Sequence, residues 1–491
     1  MKRGHCTVSG NKEKKFENFI RVTLGDKNEN QTNKTILLVG ETGAGKSTLI
    51  NTLVNYAVGV KFEDEVWFQI VEDPKGICQT ESQTSEVIVY QIFGFEGQTL
   101  PFSLTIIDTP GFGDTRGIEH DKIVCQQLLQ LFQSKDGVHE INAVGLVIKA
   151  TDNRLSDRLM YVFDSVTSLF GKDLEENIVA LITHSDGRKP RNALQALKAA
   201  NVKSSKDDFI YFLFNNCQHE DRTNDTEFLK YAYQISIKQT KNFMIYLQKT
   251  KPQPLKTTVE VLNERIRLTA CIQNLHERFK LNELKQREIK QIEAEYTKHE
   301  KEMKENENFT IEVDEAYKDK EKIDGGMWDL GFYEGALTCS VCKENCHYPG
   351  CKMASKPEHC EVMKDGRCTV CTNKCPASIH VKESCVYFIT TRKVQKTLED
   401  MKDKYENNKA ECEKKFSLLE KLENEAIIIK TEQSLLLEEA YSHVIRLEQI
   451  ALKVESVSTL VYLDFLMEKM KEKGDQEKVN KLEEIRKQVK K

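Results

Sequence analysis

One segment of the 491-residue sequence carries glycine, lysine and serine at the spacing of a phosphate-binding loop. Residues 40–48 match the pattern G-x-x-x-x-G-K-[ST] in full and follow an apolar stretch at 35–39. Glycines let such a loop wrap around phosphate, so that backbone N–H groups point inward. Lys46 supplies a positive charge and Ser47 a hydroxyl for Mg²⁺. The predicted nucleotide contacts are Gly40, Glu41, Thr42, Gly43, Ala44, Gly45, Lys46, Ser47 and Thr48.

A second motif, Asp-Thr-Pro-Gly at 108–111, ends another apolar stretch. We predict that Asp108 lies near Mg²⁺, directly or through water, and that the N–H of Gly111 contacts the terminal phosphate, as switch loops do. A switch hydroxyl is also needed on the metal. In the polar stretch 78–85, Thr84 is the choice for this catalytic and Mg²⁺-binding role and Thr80 the reserve.

The residues Thr183-His-Ser-Asp186 follow an apolar stretch at 178–182 and resemble the [N/T]-K-x-D element that reads a guanine base. Asp186 would accept hydrogen bonds from guanine N1 and the 2-amino group, which adenine lacks. His184 stands where lysine is usual and would stack on the base as a flat ring. The loop at Asn215-Asn216 is predicted to face the same base. A plain turn at the strand end is the alternative.

Phe112 follows Gly111, at a position where a glutamine would orient the attacking water. We therefore expect the chain alone to hydrolyse its bound nucleotide slowly. Faster hydrolysis would need a catalytic group from another copy of the chain or from a partner. The alternative is that nucleotide state mainly controls assembly.

Nine of the 15 cysteines lie between Cys339 and Cys385, within one short segment. It contains two C-x2-C pairs, each followed by another cysteine after three residues, a pattern typical of zinc sites. A secreted disulfide framework is the alternative, which the absence of an apolar secretory signal at the start disfavours. The other six cysteines are predicted to be free thiols in a reducing compartment, the cytoplasm.

The candidate zinc ligands suit two four-ligand sites with two side chains left over. One ion is predicted on Cys339, Cys342, Cys368 and Cys371. The second takes four of the remaining candidates, which are Cys346, His347, Cys351, Cys360, Cys375 and His380. Closed cysteine-rich sites are structural, so we assign folding and docking to this segment.

The elements that position these residues follow from composition. Short apolar strands alternate with amphipathic stretches up to residue 250, which predicts a mostly parallel sheet of α/β type. Beyond Pro254, long segments without proline predict helices that run out and back as an antiparallel hairpin, or two unrelated helices. The predicted segments are a tail (1–33), an α/β domain (34–250), an outgoing helical arm (255–320), a cysteine-rich zinc-binding tip (321–385), a returning coiled-coil arm (386–430) and a C-terminal helical segment (431–491).

The net charge of −5, from 72 basic and 77 acidic residues, demands no nucleic acid, and no apolar run is long enough to span a membrane. We therefore expect neither a nucleic acid partner nor a membrane span.

The nucleotide motifs resemble those of the septin and immunity-associated (AIG-type) GTPases over about residues 34–250. The resemblance implies a P-loop GTPase domain that binds GTP or GDP, hydrolyses GTP slowly and forms dimers or oligomers through this domain. Separately from the resemblance, we predict that the zinc tip or the coiled coil binds a protein partner. Septins lack the cysteine-rich insertion. Two alternatives stay open: a non-hydrolysing scaffold with structural nucleotide, and an ATPase with a zinc-hook coiled coil.

Overall fold

Two units make up the chain in the computed structural model. The structure describes residues 12–15, 19–27, 30–64, 66–71, 86–93, 100–112, 118–151, 157–200, 202, 209–218, 226–305, 310–323, 335–351, 354, 356–397, 418–454 and 457–489. Unit 1 comprises Met1–Leu262 and Leu447–Val461, and unit 2 comprises Asn263–Arg446 and Tyr462–Lys491. The chain therefore leaves unit 1, returns to it once, and ends in unit 2.

Unit 1 is built on an eight-stranded sheet of order β1-β2-β4-β5-β3-β7-β8-β9. Five neighbouring strands, β5, β3, β7, β8 and β9, are parallel, and β4 is antiparallel to β5. The predicted mostly parallel α/β sheet is confirmed. The strands of unit 1 are β1 (Lys12–Lys15), β2 (Ile20–Leu24), β3 (Asn33–Gly40), β4 (Ile88–Ile92), β5 (Ser103–Asp108), β6 (Glu140–Ile141), β7 (Ala143–Lys149), β8 (Ile178–Thr183), β9 (Tyr211–Leu213) and β10 (Gln253–Pro254).

The central strands are apolar throughout because both faces of the sheet are covered. Residues 36–39 of β3 and 179–182 of β8 have no exposed surface. Packing is so close that a methyl group at Gly145 of β7 would lie 2.5 Å from Leu181 Cδ1. The predicted tail 1–33 differs from the structure, since β1 and β2 extend the sheet beyond β4.

Helices lie between the strands of unit 1, as the alternating pattern predicts. They are α1 (Lys46–Val58), α2 (Ile118–Gln133), α3 (Asp157–Thr167), α4 (Arg191–Ala199) and α5 (Thr226–Lys249). The late segment of the unit pairs with its early part: Ala451 forms a bridge with Gly171, and Leu452 N–H donates to Phe170 O at 2.8 Å. Lys453 Nζ also lies 2.5 Å from Asp164 Oδ1.

Unit 2 contains a long antiparallel ribbon and a small three-stranded sheet. The ribbon pairs β11 (Thr310–Lys322) with β17 (Cys385–Thr397), and the sheet has the order β13-β12-β16. The smaller strands are β12 (Gly335–Cys339), β13 (Glu344–Cys351), β14 (Met363–Lys364), β15 (Arg367–Cys368) and β16 (His380–Glu383). The predicted outgoing helical arm (255–320) is wrong at its end, because residues 310–322 form the strand β11.

The helices of the C-terminal half are α6 (Lys256–Glu305), α7 (Leu418–Ile450), α8 (Val457–Lys473) and α9 (Gln476–Val489). Within unit 2, Glu264 of α6 contacts His443 of α7, and Arg278 contacts Glu432, so the two helices run antiparallel. The prediction of a returning helix at 386–430 is wrong at its start, because residues 385–397 are a strand; residues 398–417 lie outside the described part. Among the described helices, none is long and apolar enough to cross a membrane.

Candidate nucleotide and metal sites

The phosphate loop connects β3, whose last six residues are buried, to α1. Gly43 has φ 77° and Gly45 φ 92°, left-handed values that favour glycine. Gly45 is also the N-cap of α1, so the N–H groups at the start of that helix face the loop. At the end of β8, which β7 separates from β3 in the sheet, Thr183 Oγ1 donates to Ala44 O at 2.7 Å and so holds the loop. The loop has the geometry of an anion cradle.

Lys46 is the buried cation of this loop, with 7% of its surface exposed. Its Nζ donates to Gly40 O and Glu41 O, each at 3.1 Å. Burial lowers the pKa of Lys46 to about 8, against the opposing effect of the charges on Asp108 and Glu41. An anion in the cradle would supply the negative charge that favours the protonated amine.

Asp108 ends β5 and is fully buried beside β3. Ser47 stands in the first turn of α1, so a carboxylate and a hydroxyl, both oxygen ligands of the kind Mg²⁺ takes, belong to adjacent elements. The Asp108 carboxylate and the Ser47 hydroxyl therefore suit a Mg²⁺ ion bound together with a nucleotide. Thr84 and Thr80 lie outside the described residues, so the switch threonine stays a prediction.

Gly111 packs directly on the phosphate loop. A methyl group there would lie 2.3 Å from Thr42 Oγ1 and 2.5 Å from Thr42 Cα, so only glycine fits. The next residue, Phe112, is fully buried, and its N–H donates to Gly40 O at 3.1 Å. The segment after β5 is thus joined to the loop that would hold phosphate.

The two loops predicted to face the base are brought together by backbone contact. Ser185 N–H donates to Phe214 O at 3.0 Å, which joins the loop after β8 to the loop after β9. The Asp186 side chain is 70% exposed, and its Oδ1 accepts from Arg188 N–H at 2.9 Å. His184 is exposed and has a left-handed backbone, with φ 51°. The carboxylate that would read the base is therefore open to solvent.

Hydrogen bonds from Ser236 of α5 fix the Asn215-Asn216 loop. Ser236 Oγ accepts from Asn215 N–H at 3.0 Å and donates to Asn215 O at 2.8 Å. Ser236 Oγ also lies 3.3 Å from Asn216 Oδ1. Ser236 was missed from the sequence because a single helical serine gives no local signal.

Lys149 is a further residue that the sequence analysis missed. It ends β7, and its Nζ would lie 3.8 Å from a methyl group at Gly43. The sequence does give a signal for this residue, since Lys149 ends an otherwise apolar parallel strand. The carboxyl ends of parallel strands meet at one edge of a sheet, so a lysine there is expected near the phosphate loop.

Two asparagines of α1 form hydrogen bonds with the backbone of the segment 66–71. Asn55 Oδ1 accepts from Phe68 N–H at 2.9 Å, and its Nδ2 donates to Phe68 O at 2.6 Å. Asn51 Oδ1 accepts from Ile70 N–H at 2.8 Å and Val71 N–H at 3.0 Å. Both side chains are buried, so the helix that begins at Lys46 also fixes this segment.

The cysteine-rich segment brings all ten predicted ligands into three clusters. Ligand atoms within each cluster lie within 4.8 Å of one another. We name them cluster A (Cys339, Cys342, Cys371 and Cys375), cluster B (Cys346, Cys368, Cys371 and His380) and cluster C (His347, Cys351 and Cys360). None of the twelve cysteines in the described part of the chain forms a disulfide.

The predicted grouping of the ligands differs from the structure for both ions, because no cluster contains four of the six candidates assigned to the second ion. Cys368 was placed with Cys339 and Cys342, whereas Cys375 takes that place, with its Sγ 3.8 Å from Cys342 Sγ. The cause is a tight turn: Cys375 N–H donates to Cys371 Sγ at 3.2 Å and folds Cys375 back toward the first pair. Spacing alone does not reveal this turn.

Comparison with known proteins agrees with the geometry of unit 1. Residues 34–230 match the model of the AIG1 family. Septin-5 of Homo sapiens is 28% identical over 202 residues, which cover 38% of this chain and 49% of that protein. GTP-binding protein A of Dictyostelium discoideum is 24% identical over 185 residues, which cover 38% of this chain and 34% of that protein. The chain thus spans half or less of the length of these relatives.

Among solved structures, Toc33 from Arabidopsis thaliana in complex with GDP and Mg²⁺ is 17% identical. The structural match covers 46% of this chain and 88% of the Toc33 chain, with a TM-score of 0.31. This likeness is too weak to support a conclusion. The motifs and the family match show that residues 34–230 resemble the P-loop GTPases of the septin and AIG1 type, which confirms the predicted resemblance.

Proposed function

We propose that unit 1 binds GTP and GDP with Mg²⁺ and hydrolyses GTP slowly, and that nucleotide state controls assembly or partner binding. The observation that carries the proposal is the buried Lys46 in a left-handed glycine loop beside Asp108. Burial deprives the ammonium of its hydration, and phosphate oxygens would add charged partners to the two carbonyls that it contacts.

Each residue of the loop has a defined task in nucleotide binding. Backbone N–H groups from Gly43 to Ser47 would bind phosphate oxygens, and Lys46 would neutralise their charge. Ser47 and Asp108 would hold Mg²⁺, which when bound offsets the charge of the phosphates. Gly111 keeps the segment after β5 close enough to respond to the terminal phosphate, since no side chain separates it from Thr42.

The choice of guanine rests on Asp186, whose exposed carboxylate belongs to one of the two loops joined by the Ser185–Phe214 contact. Titration of the full-length chain with GDP and ADP tests this choice. We expect GDP to bind more tightly, and Asp186→Ala to lose most of that preference while ADP affinity stays unchanged. Glu176→Ala removes an exposed carboxylate elsewhere in unit 1 and serves as control. Equal GDP and ADP affinities in the unaltered chain would rule out a GTPase and favour the ATPase alternative.

Slow hydrolysis is proposed because the residue after Gly111 is buried Phe112, which has no group to orient water. A second copy, docked through the G domain, would supply the missing group. We expect GTP turnover per molecule to rise with protein concentration. A rate that is constant over a hundredfold range of concentration would contradict assembly-stimulated hydrolysis and leave the scaffold alternative.

We also propose that zinc stabilises the cysteine-rich segment and that this segment, with the neighbouring helices, binds a protein partner. Three tight clusters of free thiols and imidazoles support the metal, because closed sets of such ligands favour zinc. Free thiols persist in a reducing compartment, so we propose a cytoplasmic location. Metal analysis of the purified chain tests the zinc assignment, which the absence of zinc would remove.

A further inference from the structure

The three clusters divide the ligands unequally. Clusters A and B each contain four residues, but both contain Cys371, and cluster C contains three residues. Zinc in structural sites takes four ligands in a tetrahedron. If Cys371 served one ion alone, the other ion would have an incomplete set. A thiolate that bridges two ions completes both.

We propose that the cysteine-rich segment binds three zinc ions. Two of them, in clusters A and B, share the Cys371 thiolate as a bridge. The third, in cluster C, is completed by the Glu361 carboxylate. This inference rests on the proposed role of zinc and deepens it, since the sequence predicts only two ions.

The distances between ligand atoms are those of metal-binding sets. Two sulfurs on one tetrahedral zinc, each at about 2.3 Å from the metal, lie about 3.8 Å apart. Cys342 Sγ and Cys375 Sγ of cluster A are 3.8 Å apart. Cys351 Sγ and Cys360 Sγ of cluster C are 4.0 Å apart.

Backbone geometry points the sulfurs of clusters A and B inward. Cys342 N–H donates to Cys339 Sγ at 3.4 Å, and Cys371 N–H donates to Cys368 Sγ at 3.3 Å. Cys375 N–H donates to Cys371 Sγ itself at 3.2 Å. Such bonds favour the charged form of the sulfur, which is the form that binds metal.

His380 provides independent support for the ion in cluster B. Its Nδ1 lies 2.9 Å from Pro376 O, the arrangement in which a histidine donates one ring N–H to a carbonyl and turns the other nitrogen to a metal. That other nitrogen, Nε2, is buried and has no hydrogen-bond partner among the described residues. The pairing of β12 with β16 places Cys339 opposite His380, which sets clusters A and B side by side.

Glu361 completes cluster C. Its Oε2 lies 3.5 Å from His347 Nδ1 and 3.6 Å from Cys360 Sγ. These separations suit atoms that share one ion, because zinc binds nitrogen and oxygen at about 2.0–2.2 Å. The Glu361 side chain is only 10% exposed, and Arg267 Nε donates to Glu361 O at 3.1 Å, which fixes the backbone of this residue.

The surrounding charges fit a thiolate-rich centre. Six thiolates and two divalent cations in clusters A and B would leave a net charge of about −2. Arg278 is buried nearby; its pKa is lowered by desolvation, and the charges of Glu432, Cys342 and Cys371 oppose this. Lys318 Nζ donates to Cys342 O at 3.2 Å. Two cations thus lie beside these clusters, and each is also paired with a carboxylate: Arg278 with Glu344 and Glu432, and Lys318 with Glu344.

The test uses the full-length chain purified under reducing conditions, with zinc measured by elemental analysis and native mass spectrometry. We expect three zinc ions per chain, and three again in Cys385→Ser, which changes a free cysteine outside the clusters. Cys360→Ala should lose one ion and Cys371→Ser two. Two ions in the unaltered chain would overturn the third site, while no zinc at all would also remove the proposed zinc role.

The bridge is tested without any variant by replacing zinc with ¹¹³Cd. A shared thiolate predicts three cadmium resonances, with Cys371 β-protons coupled to two of them. Three resonances whose ligand protons each couple to one cadmium would overturn the bridge. Because GDP binding is measured on the same sample, failure of the metal inference is distinguished from failure of the nucleotide proposal.

Discussion

At the scale of single residues, we predict that nucleotide binding at the phosphate loop depends on the buried charge of Lys46. Lys46→Ala should weaken GDP binding by roughly 10- to 100-fold, since hydrogen bonds to charged groups contribute about 1.5–3 kcal/mol. Fluorescence titration with a labelled nucleotide measures the change. Lys189→Ala, which removes an exposed lysine of the same unit, should leave the affinity unaltered. Equal affinities of the Lys46 variant and the unaltered chain would show that nucleotide does not bind at this loop.

A second residue-scale prediction concerns Glu264 of α6. Its Oε2 lies 2.6 Å from His443 Nδ1, and its Oε1 lies 2.9 Å from Arg267 Nη1. Burial raises the pKa of the Glu264 carboxyl, but the hydrogen bonds and charges of His443 and Arg267 outweigh it and leave the pKa below its ordinary 4.5. A lowered folded-state pKa stabilises the fold above pH 4.5 and loses that effect as the pH falls.

Glu264→Gln should therefore lower the free energy of unfolding at pH 7 by about 1–3 kcal/mol. The difference from the unaltered chain should shrink as the pH falls through 4. Denaturant unfolding at several pH values measures both proteins. Glu283→Gln is the control, because Glu283 forms an exposed pair with Arg287 that is worth little. A difference that does not vary with pH would contradict the role of the ionised carboxylate.

At the scale of elements, α1 links the phosphate loop to the segment that ends at residue 71. Asn55→Ala removes both bonds to Phe68 and leaves backbone groups unpaired, so we expect a loss of about 1–3 kcal/mol in local stability. Hydrogen exchange at the amides of Phe68 and Ile70 should accelerate accordingly. Thr52→Ala is a matched control on the same helix, since Thr52 Oγ1 donates to Thr48 O. Unchanged exchange in the Asn55 variant would show that other contacts hold the segment.

The elements also show where sequence reasoning succeeds. The phosphate loop and β5 were predictable because both are local: glycine spacing and an apolar run ending in Asp108 need no distant partner. The strand at 385–397 was misjudged because the absence of proline was taken to predict a helix, whereas β-branched residues and pairing with β11 favour a strand. The ligand grouping was missed because it depends on the turn between Cys371 and Cys375 and on β12 meeting β16, a contact that spans some forty residues.

At the scale of the whole molecule, the two units have separate cores and should respond differently to metal removal. A zinc-selective chelator, added with Mg²⁺ retained, should unfold the cysteine-rich part of unit 2, because metal binding supplies folding free energy there. GDP binding by unit 1 should persist. Hydrogen exchange and nucleotide titration on the same sample report the two results. Full protection of residues 335–385 after chelation would contradict a structural role for zinc.

The late segment of unit 1 has a consequence for biosynthesis. Residues 447–461 pair with Gly171 and Phe170, yet they follow almost all of unit 2 along the chain. Domains usually fold as they leave the ribosome, in order from the N-terminus. Here unit 1 stays incomplete until the ribosome has delivered residues 263–446, the main portion of unit 2. Translation therefore delivers the cysteine-rich segment before the last part of unit 1.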